Sequence, residues 1–111
     1  MISYEPIREN REFQRVYARG KCYVSPVLVS YVFKNRRKLL RVGITTGKKI
    51  GNAVHRNRAR RVIKESFRIL QGRVRPGYDI VFVARKKTSF VKCGEVCHEM
   101  ERHLKSAGIF S

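Results

Sequence analysis

Acidic residues are scarce in this 111-residue chain. Eight Asp and Glu stand against 26 Lys and Arg, a formal charge of +18. None of the eight lies between Glu12 and Glu65, a window that holds 15 of the 26 basic residues. Such self-repulsion calls for a polyanion that neutralises it, and released counterions make phosphate backbones the natural partner of clustered Lys and Arg. Tryptophan is absent, and the basic residues spread over loops, strands and helices, unlike the single amphipathic helix of a membrane-surface binder. No run approaches the roughly 18 apolar residues of a membrane span, so no membrane partner is expected. Residues 1–19 are charged throughout and do not read as a signal peptide. Three cysteines (Cys22, Cys93, Cys97) cannot all pair within one chain, which points to reduced thiols and a cytoplasmic location. There is no repeat, low-complexity tract or linker, so residues 1–111 are expected to form one domain, with the basic footprint of a nucleic-acid binder.

What is present has the periodicity of an α+β fold. Residues 9–19 read as a helix, with Phe13, Val16 and Tyr17 at i, i+3 and i+4 and Gly20 at its end. Residues 22–34 are rich in Val, Tyr and Phe and read as strand, interrupted early by Pro26. A polar turn over residues 35–38, a strand over 39–46 and a basic loop from Gly47 to Gly51 follow. Asn52 stands as N-cap of a long helix to Leu70, with Gly72 as its stop. Residues 78–84 are apolar apart from Asp79, the pattern of a strand covered on both faces. A last helix over residues 89–107 places Cys93, Val96, Cys97, Met100 and Leu104 on one side. The order α-β-β-α-β-α predicts an α-β sandwich, with about three helices packed on a small mixed four-stranded sheet.

The long helix divides by angle. Advancing about 100° per residue from Ala59, Val62, Ile63, Ser66, Phe67 and Leu70 fall on its side of the helix, a buried stripe. Asn57, Arg61, Lys64 and Arg68 line the opposite side, flanked by Arg56 and Arg60 and, on the other edge, by Arg58. Arginine grips phosphate with a planar fork. Lys48, Lys49 and the backbone N–H groups near Asn52 add anion sites at the positive end of the helix.

Other patterns are weaker. Residues 43–49 glance at a phosphate-binding loop, but they are one residue short of the NTPase spacing and place Lys49 where a hydroxyl should hold magnesium. Cys93, Cys97, His98 and His103 match no common zinc spacing, and the two cysteines sit on an apolar stripe. His55 lacks a carboxylate partner and reads as packing or phosphate-adjacent. No nucleophile–base pair or paired carboxylates stand at a readable spacing, so no catalytic residue and no metal ligand is assigned. Phe13 and Tyr17 share one helix face, and Val27, Val29, Tyr31 and Phe33 one strand face. These surfaces fit either a core or a groove where unstacked bases lie against rings, with Arg15, Arg19 and Lys21 as a basic rim.

The segment from Lys48 to Val54, followed by Arg56-Asn57-Arg58 and Arg60-Arg61, resembles the RNR signature of bacterial ribonuclease P protein subunits. Phe13 to Tyr17 with Gly20-Lys21 resembles that family's first helix, Arg41 to Ile44 its central strand, and Gly77 to Ile80 with Ala84 to Lys86 its late strand. The resemblance implies a protein that assists a catalytic RNA in removing the 5′ leader of precursor tRNA by hydrolysing one phosphodiester bond. The chemistry then belongs to the RNA and the Mg2+ it holds, with no cofactor bound by the protein alone. It further implies a left-handed βαβ crossover through the RNR helix, against the usual hand. Lys48, Lys49, Asn52, Arg56, Asn57, Arg58, Arg60, Arg61, Lys64 and Arg68 are then the RNA-subunit contacts, and Phe13, Tyr17, Val29, Tyr31 and Ala84 the leader cleft. Tyr17 stands where Phe is frequent, exchanging one stacking ring for another. Lys64 stands where Arg is frequent, without the bidentate fork. A structural or ribosomal RNA-binding protein with no role in cleavage is the alternative.

Overall fold

The computed structural model describes residues 4–111. Along the chain come β1 (Glu5–Pro6), α1 (Asn10–Arg19), β2 (Lys21–Val24), β3 (Leu28–Lys34), β4 (Leu40–Thr45), α2 (Ala53–Leu70), β5 (Tyr78–Ala84) and α3 (Cys93–Ser106). Short 3-10 turns cover Lys48–Ile50, Gln71–Arg73 and Lys86–Phe90. The strands form one mixed sheet in the order β1-β4-β5-β3-β2. The β4–β5 pair is parallel and joined through α2, which is the expected βαβ crossover.

Pro26 does split the first strand run. Val24 pairs with Val29 across an antiparallel hairpin, and the Ser25 hydroxyl donates to Leu28 O at the bend. Thr88 Oγ1 donates to Val27 O at 2.6 Å and so pins this bend from below. The sheet has five strands where the sequence predicts four. The addition, β1, is only two residues long and pairs with the edge of β4 through Glu5↔Arg41 and Pro6↔Val42. A two-residue strand shows no alternation to read, and its proline is tolerated because β1 is an edge.

Ladder register sorts side chains between the two faces. Leu28, Val32, Val42, Ile80, Phe82 and Ala84 point to one side, where they meet Ala59, Val62, Ile63, Phe67 and Leu70 of α2 and Val96, Met100 and Leu104 of α3. The α2 members of this core, with buried Ser66, are the stripe the helical angle predicts. On the α3 side His103 is also buried, its Nδ1 2.7 Å from the Ser30 hydroxyl. Cys93 and Cys97 are half-buried against α2. The other face carries a smaller core of Ile7, Val16 and Val81, with Phe13, Tyr17, Tyr31, Phe33 and Val83 packed partly against it.

Gly43 is what lets α1 lie on the sheet. It sits inside β4, not in a phosphate loop, and a Cβ there would meet Phe13 Cε1 at 2.5 Å. Gly72 does not stop α2 in the left-handed way expected of a C-terminal glycine. Positive φ is confined to Gly51, Gly77 and Gly108 among the described residues, and the helix tightens through Gln71–Arg73 instead. The last helix starts at Cys93, later than expected, because residues 86–90 form a separate turn in which the Thr88 hydroxyl accepts from Arg85 N–H at 2.8 Å.

Candidate nucleic-acid interface

The first candidate surface is the outer side of α2. Asn52 caps the helix, its side-chain oxygen accepting from His55 N–H at 3.1 Å. Gly51 before it has φ 136°, a conformation open to glycine alone, and a Cβ there would press on the His55 ring. The cap therefore fixes the helix start and leaves Lys48 and Lys49 exposed on the preceding turn. Asn57, Arg61 and Lys64 are exposed, Arg56 is half-buried, and none of these four side chains has a protein partner among the described residues.

The rest of the predicted row is already engaged. Arg60 reaches Thr46 Oγ1 at 3.3 Å. Arg68 grips Glu65 with two hydrogen bonds of 2.9 and 2.6 Å, which hold that carboxylate below its ordinary range. Arg58 donates to Ser89 O at 2.8 Å and Val91 O at 3.2 Å, tying α2 to the turn before α3. Helical spacing could reveal the Arg68–Glu65 pair but not the Arg58 commitment, because the acceptors of Arg58 lie more than 30 residues away in sequence. His55 stacks near Phe90 with centroids 5.2 Å apart.

The second surface is the sheet face beside α1. Tyr17 meets Tyr31 edge-on at 5.0 Å, with Phe13 6.4 Å further along. Val29 continues the row on β3, opposite Val83 on β5 and Val24 on β2. Four of the five predicted cleft residues thus share this face, half-covered. Ala84 differs: it pairs with Leu28, is 6% exposed and packs its side chain into the core under α2 and α3, yet at the end of β5 it also lines the depression that opens beyond Tyr31. Val83, one residue earlier, takes its place, since a shift of one position along a strand reverses the face. Beyond Tyr31 the face opens into a depression of about 810 Å³ floored by Val24, Val29 and Val83 and rimmed by Lys49, Arg85, Lys86 and Lys87. Lys49 was not legible as a neighbour of the Arg85-Lys86-Lys87 run, because the two segments that supply this rim lie far apart in sequence. Of the expected rim, Lys21 pairs with Val32 and points to the opposite face, while Arg15 and Arg19 stand at the far end of the row.

The neighbouring Cys22 thiol, and then burial, hold the Tyr31 hydroxyl above its ordinary value. Beneath the α1 end lies a buried charge network that sequence reading missed. Arg41 hydrogen-bonds Glu12 of α1 and lies 3.7 Å from Asp79. Asp79 also accepts from Asn35 Nδ2 at 2.7 Å. The Arg41 hydrogen bond holds Glu12 below the usual carboxylate range. Asp79 was the one visible signal, a charge inside an apolar strand. Among the described residues no three His, Cys, Asp or Glu side chains gather where they could hold a metal ion.

Fold and site together define a small, strongly basic RNA-binding protein on an α+β sandwich. Residues 1–108 match the family Ribonuclease P. The chain is 45% identical to the ribonuclease P protein component of Clostridium novyi over the full length of both, and 40% identical to that of Clostridium beijerinckii over 95% of this chain and 90% of the other. The solved ribonuclease P protein of Staphylococcus aureus superposes with a TM-score of 0.83 at 32% identity, covering 96% of this chain and 97% of that one. The Thermotoga maritima protein gives 0.80 at 32%, covering 92% and 96%. The chain belongs to the ribonuclease P protein family. It is a subunit of the ribonucleoprotein that acts in tRNA 5′ processing, part of an endoribonuclease holoenzyme, and not the structural RNA-binding protein weighed as an alternative.

Proposed function

We propose that this subunit is a non-catalytic binding platform. The RNA that it joins carries the chemistry and holds the Mg2+, and the protein itself binds no cofactor. The observation that carries this reading is the state of the acids. Six of the eight are tied to arginines, as Glu9–Arg11, Glu12–Arg41, Glu65–Arg68, Asp79–Arg41, Glu99–Arg102 and Glu101–Arg73. Converging carboxylates that could orient a hydrolytic metal are therefore not available from the protein.

The α2 face then docks on the catalytic RNA. Arg56, Asn57, Arg61 and Lys64, with Lys48, meet its phosphates, while Arg60 and Arg68 contribute after loosening their present bonds and Lys49 turns to the leader side. Arg58 and Asn52 hold the platform in shape. The α1 face takes the 5′ leader of precursor tRNA, with bases against Phe13, Tyr17, Tyr31, Val29 and Val83 and phosphates on the Lys49, Lys86 and Lys87 rim. Stacking on rings tolerates any base, which suits a leader of variable sequence. By anchoring the leader, the protein raises the affinity for precursor over mature tRNA. The three unpaired thiols fit a cytoplasmic setting, and no helix among the described residues is long and apolar enough to cross a membrane.

Reconstitution tests this. The purified protein, freed of RNA, is mixed with a bacterial ribonuclease P RNA and precursor tRNA at low magnesium. Leader removal that requires both macromolecules is expected, and sustained cleavage by the protein alone overturns the assignment of chemistry to the RNA.

A further inference from the structure

A second basic concavity lies at the opposite end of the α1 face from the Lys49 rim. It is a depression of about 890 Å³ between α1 and the turn joining β3 to β4. Arg15, Arg19, Lys34, Arg36 and Arg37 surround it, and among the described residues none of their charged groups makes an ion pair or side-chain hydrogen bond. Elsewhere on the exposed surface arginines do find acids, as Arg11, Arg68, Arg73 and Arg102 show. Asp79 is the single acid in the lining, and Arg41 and Asn35 already occupy it.

The concavity is built, not accidental. Its floor is Arg41, 7% exposed, whose Nε is buried without a partner. The Arg41 network joins α1 through Glu12 to β5 through Asp79, and Asn35 extends it to the turn. The Asn35 side-chain oxygen accepts from Arg37 N–H at 2.9 Å, and Asn35 N–H donates to Gly77 O, so the turn that presents Arg36 and Arg37 is fixed. Five unpaired cations held around one rigid hollow concentrate positive potential there. Phe33, half-buried in the lining, continues the Val29–Tyr31 row directly into it. At about 3.3 Å per residue, Val29 and Phe33 stand roughly 13 Å apart along β3, so the two basic ends are separated by the span of a few nucleotides.

We propose that this depression is a second phosphate subsite for the single strand on the α1 face. It takes a backbone phosphodiester of the leader farther along than the part held at Val29 and Lys49, with Phe33 supplying a further stacking edge. The inference rests on the leader-groove reading above and assigns it a length dependence: long leaders engage both basic ends, short leaders one.

The test uses the reconstituted holoenzyme, the double variant Arg36→Ala/Arg37→Ala on the exposed turn, and three RNAs: precursor tRNA with a long leader, the same with its leader trimmed short, and mature tRNA. The variant should bind the long-leader RNA about threefold to tenfold more weakly, with its log–log salt slope shallower by roughly 0.7 for each phosphate no longer neutralised. Binding of the other two should not change, and Arg36→Lys/Arg37→Lys should restore the salt slope. Equal losses for all three RNAs would move these charges to the tRNA body or the catalytic RNA and overturn the proposal, as would an unchanged long-leader affinity. Tyr31→Ala is measured in parallel. If it separates precursor from mature tRNA while the arginine pair does not, the subsite fails and the groove stands. If neither does, the groove reading fails as well.

Discussion

On one face of the sheet, Leu28, Val42, Ile80 and Phe82 disappear beneath α2 and α3. On the other, Val29, Tyr31, Phe33 and Val83 stay half-covered beside α1. The strands supply similar apolar residues to both sides, and the difference lies in what covers them. The 18 residues of α2 and 14 of α3 close one face, whereas the 10 of α1 fully bury only part of the other. An apolar row along a strand therefore does not by itself distinguish a core from a binding surface. The number and size of the elements laid over it decide, and here they leave rings and aliphatic side chains exposed between two basic rims.

The largest expected effect lies on the closed face. Phe82 is wholly buried and packs 5.6 Å from Phe67, so Phe82→Ala should cost about 3–5 kcal/mol in denaturant unfolding. Tyr31→Ala on the open face should cost clearly less in the same assay. Equal losses would make the two faces alike and remove the groove.

Next in size is the outer face of α2. With about five to eight phosphates neutralised, affinity for the catalytic RNA should fall with salt at a log–log slope of roughly −4 to −7. Arg56, Arg61 and Lys64 changed together to Ala should flatten that slope by roughly one unit per phosphate released. Arg58→Ala should lower thermal stability with little change in slope, since its donors hold the Ser89 and Val91 carbonyls. A slope near zero for the wild type would deny this face its phosphate role.

Each face also has a titratable group whose ionisation shifts on folding, and the two should respond in different pH windows. Glu12 is held low by its hydrogen bond from Arg41. The stability it contributes is complete above the ordinary glutamate value, about 4.3, and is lost as pH falls through the depressed one. His103 is pushed down by burial, so the folded state favours its neutral form. Stability there begins to fall as pH drops through the ordinary histidine value, about 6.5. Glu12→Gln should flatten the acid limb of a stability–pH curve and leave the shallower decline below neutrality, while His103→Gln should do the reverse. The smallest effect belongs to the thiols. Cys22, Cys93 and Cys97 changed to Ser should cost no more than about 1–2 kcal/mol in stability and leave cleavage by the reconstituted complex intact. Stoichiometric zinc lost together with activity on chelation would contradict that.

Much of this was legible in the chain. The acid-free window, the angular split of α2 and the apolar run of β5 gave the sandwich, the buried stripe and the basic face. The cap at Asn52 and the break at Pro26 were local signals and appear where local chemistry puts them. Contacts that join distant segments were not legible. The resemblance pointed to Ala84, but that its side chain turns into the core while Val83 faces α1 shows only once the ladder with β3 is known. Arg58 looked free because its carbonyl partners come from the turn before α3. The Arg41–Glu12–Asp79 network joins three elements, and β1 is too short for any periodicity.

The central claim is that the half-covered face beside α1 receives the leader. The most direct measurement compares affinities of the reconstituted complex for precursor and mature tRNA, with wild-type protein and with Tyr31→Ala, folding being checked by circular dichroism. Loss of one stacking ring should weaken precursor binding by about 1–3 kcal/mol and leave mature tRNA, which has no leader, unaffected. Equal weakening for both tRNAs would mean that Tyr31 supports the fold alone and would contradict the account.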